Sequence, residues 1–148
     1  MVLLAGCIIV KDNKVLMCRE GKKSCFNQWN FPSGHVENGE NIIDGAIRET
    51  YEETGLKVKL TGLFPITQIY AGTETHVLFR FKAEVIGGEI KVDKKEILEA
   101  KWIELDDLKK MSNKEIRAYH VNYKVIEEIE NNKVYPLDIL DSNMYGID

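Results

Sequence analysis

The chain has 148 residues, 44% of them hydrophobic and 30% charged; this suits one globular unit, residues 1–148, and excludes disorder or a fibrous design. Twenty basic against twenty-four acidic side chains leave a net charge of −4. Nothing in the bulk charge attracts duplex nucleic acid, and any phosphate binding must be local or carried by a metal.

No apolar run approaches the ~18 residues needed to cross a bilayer, so a cytoplasmic protein without membrane contact is expected. Cys7, Cys18 and Cys25 show neither CxxC spacing nor a His partner at zinc-ligand distance, and reduced structural thiols are expected. Leu4-Ala5-Gly6-Cys7 has the form of a lipoprotein cleavage box, but the few residues before it supply no basic and apolar lead.

In chain order, an apolar run over 2–10 and a second over 15–18, separated by Asp12-Asn13, predict a β-hairpin. Residues 21–30 are polar and irregular, and Phe31-Pro32-Ser33-Gly34 leads into a short extended piece through Val36. Asn38-Gly39 makes a turn. Ile43, Ala46, Ile47 and Thr50 then recur at helical spacing, predicting a helix over 41–54 that Gly55 ends as a left-handed cap. Residues 56–70 and 75–86 are rich in β-branched and aromatic side chains and predict strands, the second closed by Gly87-Gly88. A short strand at 101–104, a helical turn at 106–111 and a longer helix marked by Ile116, Tyr119, Tyr123, Ile126 and Ile129 follow. Residues 135–148 are expected to form an irregular tail against the body. Strands alternating with two substantial helices argue for one sheet covered on both faces, an α/β (α+β) arrangement.

The chemistry is concentrated in residues 34–56, GHVENGENIIDGAIRETYEETGL. Glu49, Glu52 and Glu53 stand at i, i+3 and i+4, so a helix projects them from one face while its apolar stripe packs elsewhere. Like charges at that spacing cost about 0.2–0.5 kcal/mol per pair on an exposed helix, so a cationic counterpart is expected. Arg48 and Lys57 supply part of it. Hard carboxylate oxygens on a preformed face also suit Mg²⁺, with Mn²⁺ as a substitute. A solvated acidic helix surface is the alternative.

Gly34, Glu40, Arg48, Glu49, Glu52, Glu53, Gly55 and Leu56 match the pattern GX5EX7REUXEEXGU at every fixed position except Thr50, where an aliphatic residue is usual. The segment resembles the Nudix box of the MutT-like hydrolases. The likeness extends to Trp29-Asn30-Phe31-Pro32 before the box and to residues 96–102 after it. It implies an α/β/α sandwich with a mixed sheet, and a Mg²⁺-dependent hydrolase acting on a diphosphate linkage in a small phosphorylated substrate. It implies Glu49, Glu52 and Glu53 as metal ligands, with Arg48 orienting Glu49. By the same likeness the Ser33 carbonyl is a further metal contact, Glu40 either an additional metal contact or a residue that supports the ligands from behind, and Glu96 a further ligand or the general base. The proton acceptor is left among Glu49, Glu52 and Glu96. Arg19, Trp29, Gly34 and His35 are the candidates for substrate contact, against a solvated basic loop for Arg19, Lys22 and Lys23 and loop packing for Trp29, Phe26, Tyr70 and His76.

Trp29-Asn30 and Tyr135-Pro136-Leu137 look like the NudJ-type branch, which implies nucleoside tri- and diphosphates or thiamine diphosphate as substrates. An oxidised-nucleotide, ADP-ribose or dinucleoside polyphosphate pyrophosphatase, a regulatory module without catalysis and a diphosphate isomerase stand as alternatives. Monomer and homodimer both stay open.

Overall fold

The computed structural model describes residues 1–147. The expected hairpin is present as β1 (Val2–Lys11) and β2 (Lys14–Glu20). Asp12 and Asn13 both take positive φ, 51° and 61°, the conformation that lets a two-residue turn follow the strand twist. The two strands pair only through Val10–Val15 and Lys11–Lys14 and then part. β2 continues against β3 (Trp29–Asn30) and β8 (Ile97–Glu104). β1 pairs antiparallel with β4 (Ser33–His35) and parallel with β7 (Glu74–Gly88), from Val2 opposite His76 to Ile9 opposite Ala83. β5 (Leu56–Leu63) and β6 (Thr67–Ala71) flank β7. The sheet is therefore mixed, as expected.

Ala5, Cys7, Ile8 and Ile9 are consecutive or nearly so, yet all are buried, because β1 is covered on both faces. One face carries Ala5, Cys7, Ile9, Phe81 and Ala83 against α1 (Ile42–Thr54). The other carries Ile8, Val15 and Met17 against α2 (Leu105–Lys109) and α3 (Tyr119–Glu130), through Leu105, Leu108, Val125 and Ile126. Among the described residues no helix is long and apolar enough to cross a membrane. The three thiols are free and buried, and burial pushes Cys7 up to about 12.

Several expectations need correction. The continuous strand expected over 56–70 is broken at Phe64-Pro65-Ile66, where Pro65 has no N–H to give to a ladder. β8 begins four residues before the expected 101–104 strand. α3 begins only at Tyr119, because Ala118 is left-handed with φ 47°, and Ile116 instead bridges to Trp29 from the preceding loop. The tail packs through Leu137 and Leu140, and Asp148 lies outside the described residues.

α1 carries its local code intact. Asn41 caps it by accepting from the Ile43 N–H at 2.9 Å, and Gly55 closes it at φ 79°. Thr50, the departure from the box pattern, is fully buried. Its hydroxyl donates to the Ala46 carbonyl at 2.8 Å, so the polar atom in the apolar seam is satisfied.

Candidate active site

Helical spacing puts Glu49, Glu52 and Glu53 on adjacent rows of α1, but their environments differ. Glu52 is exposed, Glu49 is half-buried and Glu53 is buried. The Glu53 carboxylate accepts from the Ser33 N–H at 2.9 Å. Burial, with Glu20 and Glu49 nearby, pushes Glu53 up to about 8 against that hydrogen bond. Burial also raises Glu49. Both shifts run in the direction that a bound cation would reverse.

Arg48 supplies charge on the outer side only. Its guanidinium donates to Glu40 at 2.7 and 3.0 Å, to Glu49 at 3.0 Å, to Glu52 at 3.1 Å and to the His35 carbonyl at 3.0 Å. That hydrogen bonding holds Glu40 below the usual carboxylate range. Lys57 is exposed on β5 and makes no ion pair among the described residues. Among the described residues no three His, Cys, Asp or Glu side chains already converge as a metal cage. Glu49 and Glu52 turn toward Arg48, and Glu53 toward Ser33. The donor set nonetheless fits a hard divalent cation: carboxylate oxygens on one rigid helix, one of them buried and without an ion pair among the described residues.

Gly34 shows how tightly the loop and helix meet. A Cβ built there would fall inside the Glu49 carboxylate. Gly34→Ala is therefore expected to leave the melting transition nearly unchanged, since Glu49 can swing aside. Turnover should drop roughly 10-fold or more by misplacing that carboxylate. Unchanged turnover would show that the position of Glu49 is immaterial.

Glu96 is exposed in the loop before β8; its carbonyl accepts from the Gly21 N–H at 2.8 Å, and its carboxylate has no hydrogen bond among the described residues. Two of the expected substrate contacts, Arg19 and Trp29, lie outside the residues that line the cavity beside Gly34. Arg19 projects from the opposite face of β2 to Glu20 and is held by Glu99 at 3.2 Å and by Asn27 at 2.7 Å. Trp29 packs beneath the Lys101 ammonium, 5.4 Å from its ring centre, and its backbone clasps the 115–117 loop. Residues alternate along β2 and β3, so Glu20 and Asn30 lie on the opposite face, where Asn30 donates to Glu20.

The residues that do meet there include several not anticipated. A cavity of about 280 Å³ opens beside Ser33, Gly34 and His35 and is lined further by Lys22, His76, Arg80 and Arg117. Glu20, buried at the end of β2, accepts from Asn30 at 3.4 Å and Arg117 at 3.3 Å, and its Oε2 has no partner among the described residues. A family model described as the NUDIX domain matches residues 2–128.

The chain belongs to the Nudix family.

A NUDIX hydrolase structure from Nitrosomonas europaea is 30% identical with a TM-score of 0.83, covering 97% of both chains. Putative nudix hydrolase 1 of Caenorhabditis elegans is 34% identical over 111 residues, 72% of this chain and 30% of that protein. An ADP-ribose pyrophosphatase of Methanocaldococcus jannaschii is 35% identical over 113 residues, 71% of this chain and 63% of its own length. The chain thus spans less than two thirds of each of these two curated relatives. The Nudix box positions, Gly34 to Leu56, are the stretch in which loop, helix and cap meet in this structure.

Proposed function

We propose that this Nudix protein is a divalent-metal-dependent hydrolase that cleaves a diphosphate linkage in a small nucleoside-diphosphate-linked substrate. The observation that carries the proposal is Glu53, a buried carboxylate of the box helix that accepts from the N–H of Ser33, a residue lining a cavity together with Lys22, Arg80 and Arg117.

Glu49, Glu52 and Glu53 would hold Mg²⁺ or Mn²⁺, with the Ser33 carbonyl and Glu96 as further contacts. When bound, such ions lower the pKa of a water and shield phosphate oxygens during in-line displacement. The chain's own part is positioning. Arg48 fixes Glu49 and Glu52 from the solvent side, and Glu40 anchors Arg48. The Ser33 N–H fixes Glu53 from the loop side. Lys22 and Arg117 place positive charge where a diphosphate would lie, with His35 beside them as a polar contact. The water's proton passes to a carboxylate of this set.

Relatives support different substrates: the archaeal one is named for ADP-ribose, and the Trp29-Asn30 and Tyr135-Pro136-Leu137 segments look like the NudJ-type branch. A screen over nucleoside di- and triphosphates, ADP-ribose, dinucleoside polyphosphates and thiamine diphosphate, with products identified, should show Mg²⁺-dependent cleavage of at least one. Binding without turnover across the panel would instead indicate a regulatory module.

A further inference from the structure

The box does not account for Arg80. It lies on β7 with His76 and Leu78, at i, i+2 and i+4, and all three line one side of the cavity. Arg80 is 4% exposed. Its Nη2 donates to Asn122 at 2.7 Å, and its guanidinium lies 5.7 Å from the Phe31 ring centre. Among the described residues Nε and Nη1 have no hydrogen-bond partner. Glu128 of α3 is the opposing charge that acts on it, yet Oε2 of Glu128 is itself without a partner among the described residues. Burial lowers Arg80 to about 10, so it stays charged at neutral pH. A buried guanidinium with two free donors is costly to keep unless something accepts from it.

The placement says what that something is. Asn122 donates to Asn30 at 3.0 Å, and Asn30 donates to Glu20 at 3.4 Å. Glu20 in turn bears on Glu53. Arg80 is thus the far end of a polar chain that starts beside the acidic face of α1. Leu4, Ile69, Leu78 and Val121 give the cavity an apolar wall beside Arg80, and Lys22, His35, His76 and Arg117 add polar groups to its lining. A volume of about 280 Å³ sits at the low end of ligand pockets, which run roughly 300–1,000 Å³, and admits one ring or one small charged group.

We propose that Arg80 is a specificity-determining residue that hydrogen-bonds an oxygen acceptor on the part of the substrate that is not hydrolysed. The inference rests on the proposed function. A guanine, hypoxanthine or uracil ring offers such a carbonyl oxygen, and a second phosphate offers a charged one. An adenine ring presents an amino donor on the corresponding edge and is disfavoured.

The test is equilibrium binding, with Mg²⁺, of the non-hydrolysable α,β-methylene analogues of GDP and ADP and of inorganic phosphate. Each is measured on the whole protein and on Arg80→Met, which keeps an unbranched chain and removes the donors. Arg80→Lys keeps the charge and guards against a folding defect, and melting curves check all three proteins. The expected result is at least a 10-fold preference for the GDP analogue that Arg80→Met abolishes and Arg80→Lys partly restores. If the acceptor is a phosphate, inorganic phosphate binds the unaltered protein and is lost from Arg80→Met, with no preference between bases. Equal affinities for all probes in folded Arg80→Met and the unaltered protein would overturn the inference alone, leaving Arg80 as a partner of Glu128. Failure of every probe to bind would overturn it together with the proposed function.

Discussion

Glu53→Gln is expected to lose roughly 100-fold or more in kcat at saturating Mg²⁺ while folding normally. Loss of an outer partner of a metal site already costs about 10–100-fold, and Glu53 is proposed as a ligand itself. The amide keeps the shape and one acceptor for the Ser33 N–H. It removes a charge that the surroundings resist, as the shift of Glu53 to about 8 shows. Stability without metal should therefore hold or rise. Glu52→Gln should lose most turnover as well, with even less structural effect, since that side chain is exposed. Near-normal hydrolysis by either variant would remove the carboxylates from the chemistry.

Arg48→Ala is expected to act differently, lowering both stability and metal affinity. One planar group satisfies Glu40, Glu49, Glu52 and the His35 carbonyl. Its removal sets three carboxylates against one another and frees the loop from the helix. A loss of about 1–3 kcal/mol in unfolding free energy follows from hydrogen bonds to charged groups, and the Mg²⁺ concentration for half-maximal rate should rise. Arg48→Lys should recover little, because a point charge cannot reach four acceptors in the fork geometry. Full recovery by lysine would mean that only charge matters. Urea titrations and Mg²⁺ dependence of the rate separate the two effects.

The contrast between Glu53 and Arg80 shows what a single sequence discloses. α1 was legible because its signals are local: Asn41 before the run, Gly55 after it, and the 49, 52, 53 spacing between. The order of the carboxylates by burial was not, since it depends on β2 and β4 closing over Glu53. Arg80 meets Asn122 across 42 residues and Asn122 meets Asn30 across 92, so no window of sequence joins them. One signal was available. A lone arginine in the VLFRFKA run, on the same alternating face as His76 and Leu78, is a charge pointing where a strand should be apolar. The same alternation separates Arg19 from Glu20 and would have directed attention to the glutamate. The start of α3 was misplaced because Ile116 continues the helical period, while the left-handed turn at Ala118 lies at a residue with no special tolerance for it.

Everything proposed for the site requires that the acidic face of α1 holds divalent cations. Direct Mn²⁺ titration followed by electron paramagnetic resonance, on the unaltered protein and on Glu53→Gln, addresses it without any substrate. Saturable binding that weakens at least 10-fold in the variant is the predicted result. Identical Mn²⁺ binding by the two proteins, or none by either with a substrate analogue present, would rule out this face as the metal site.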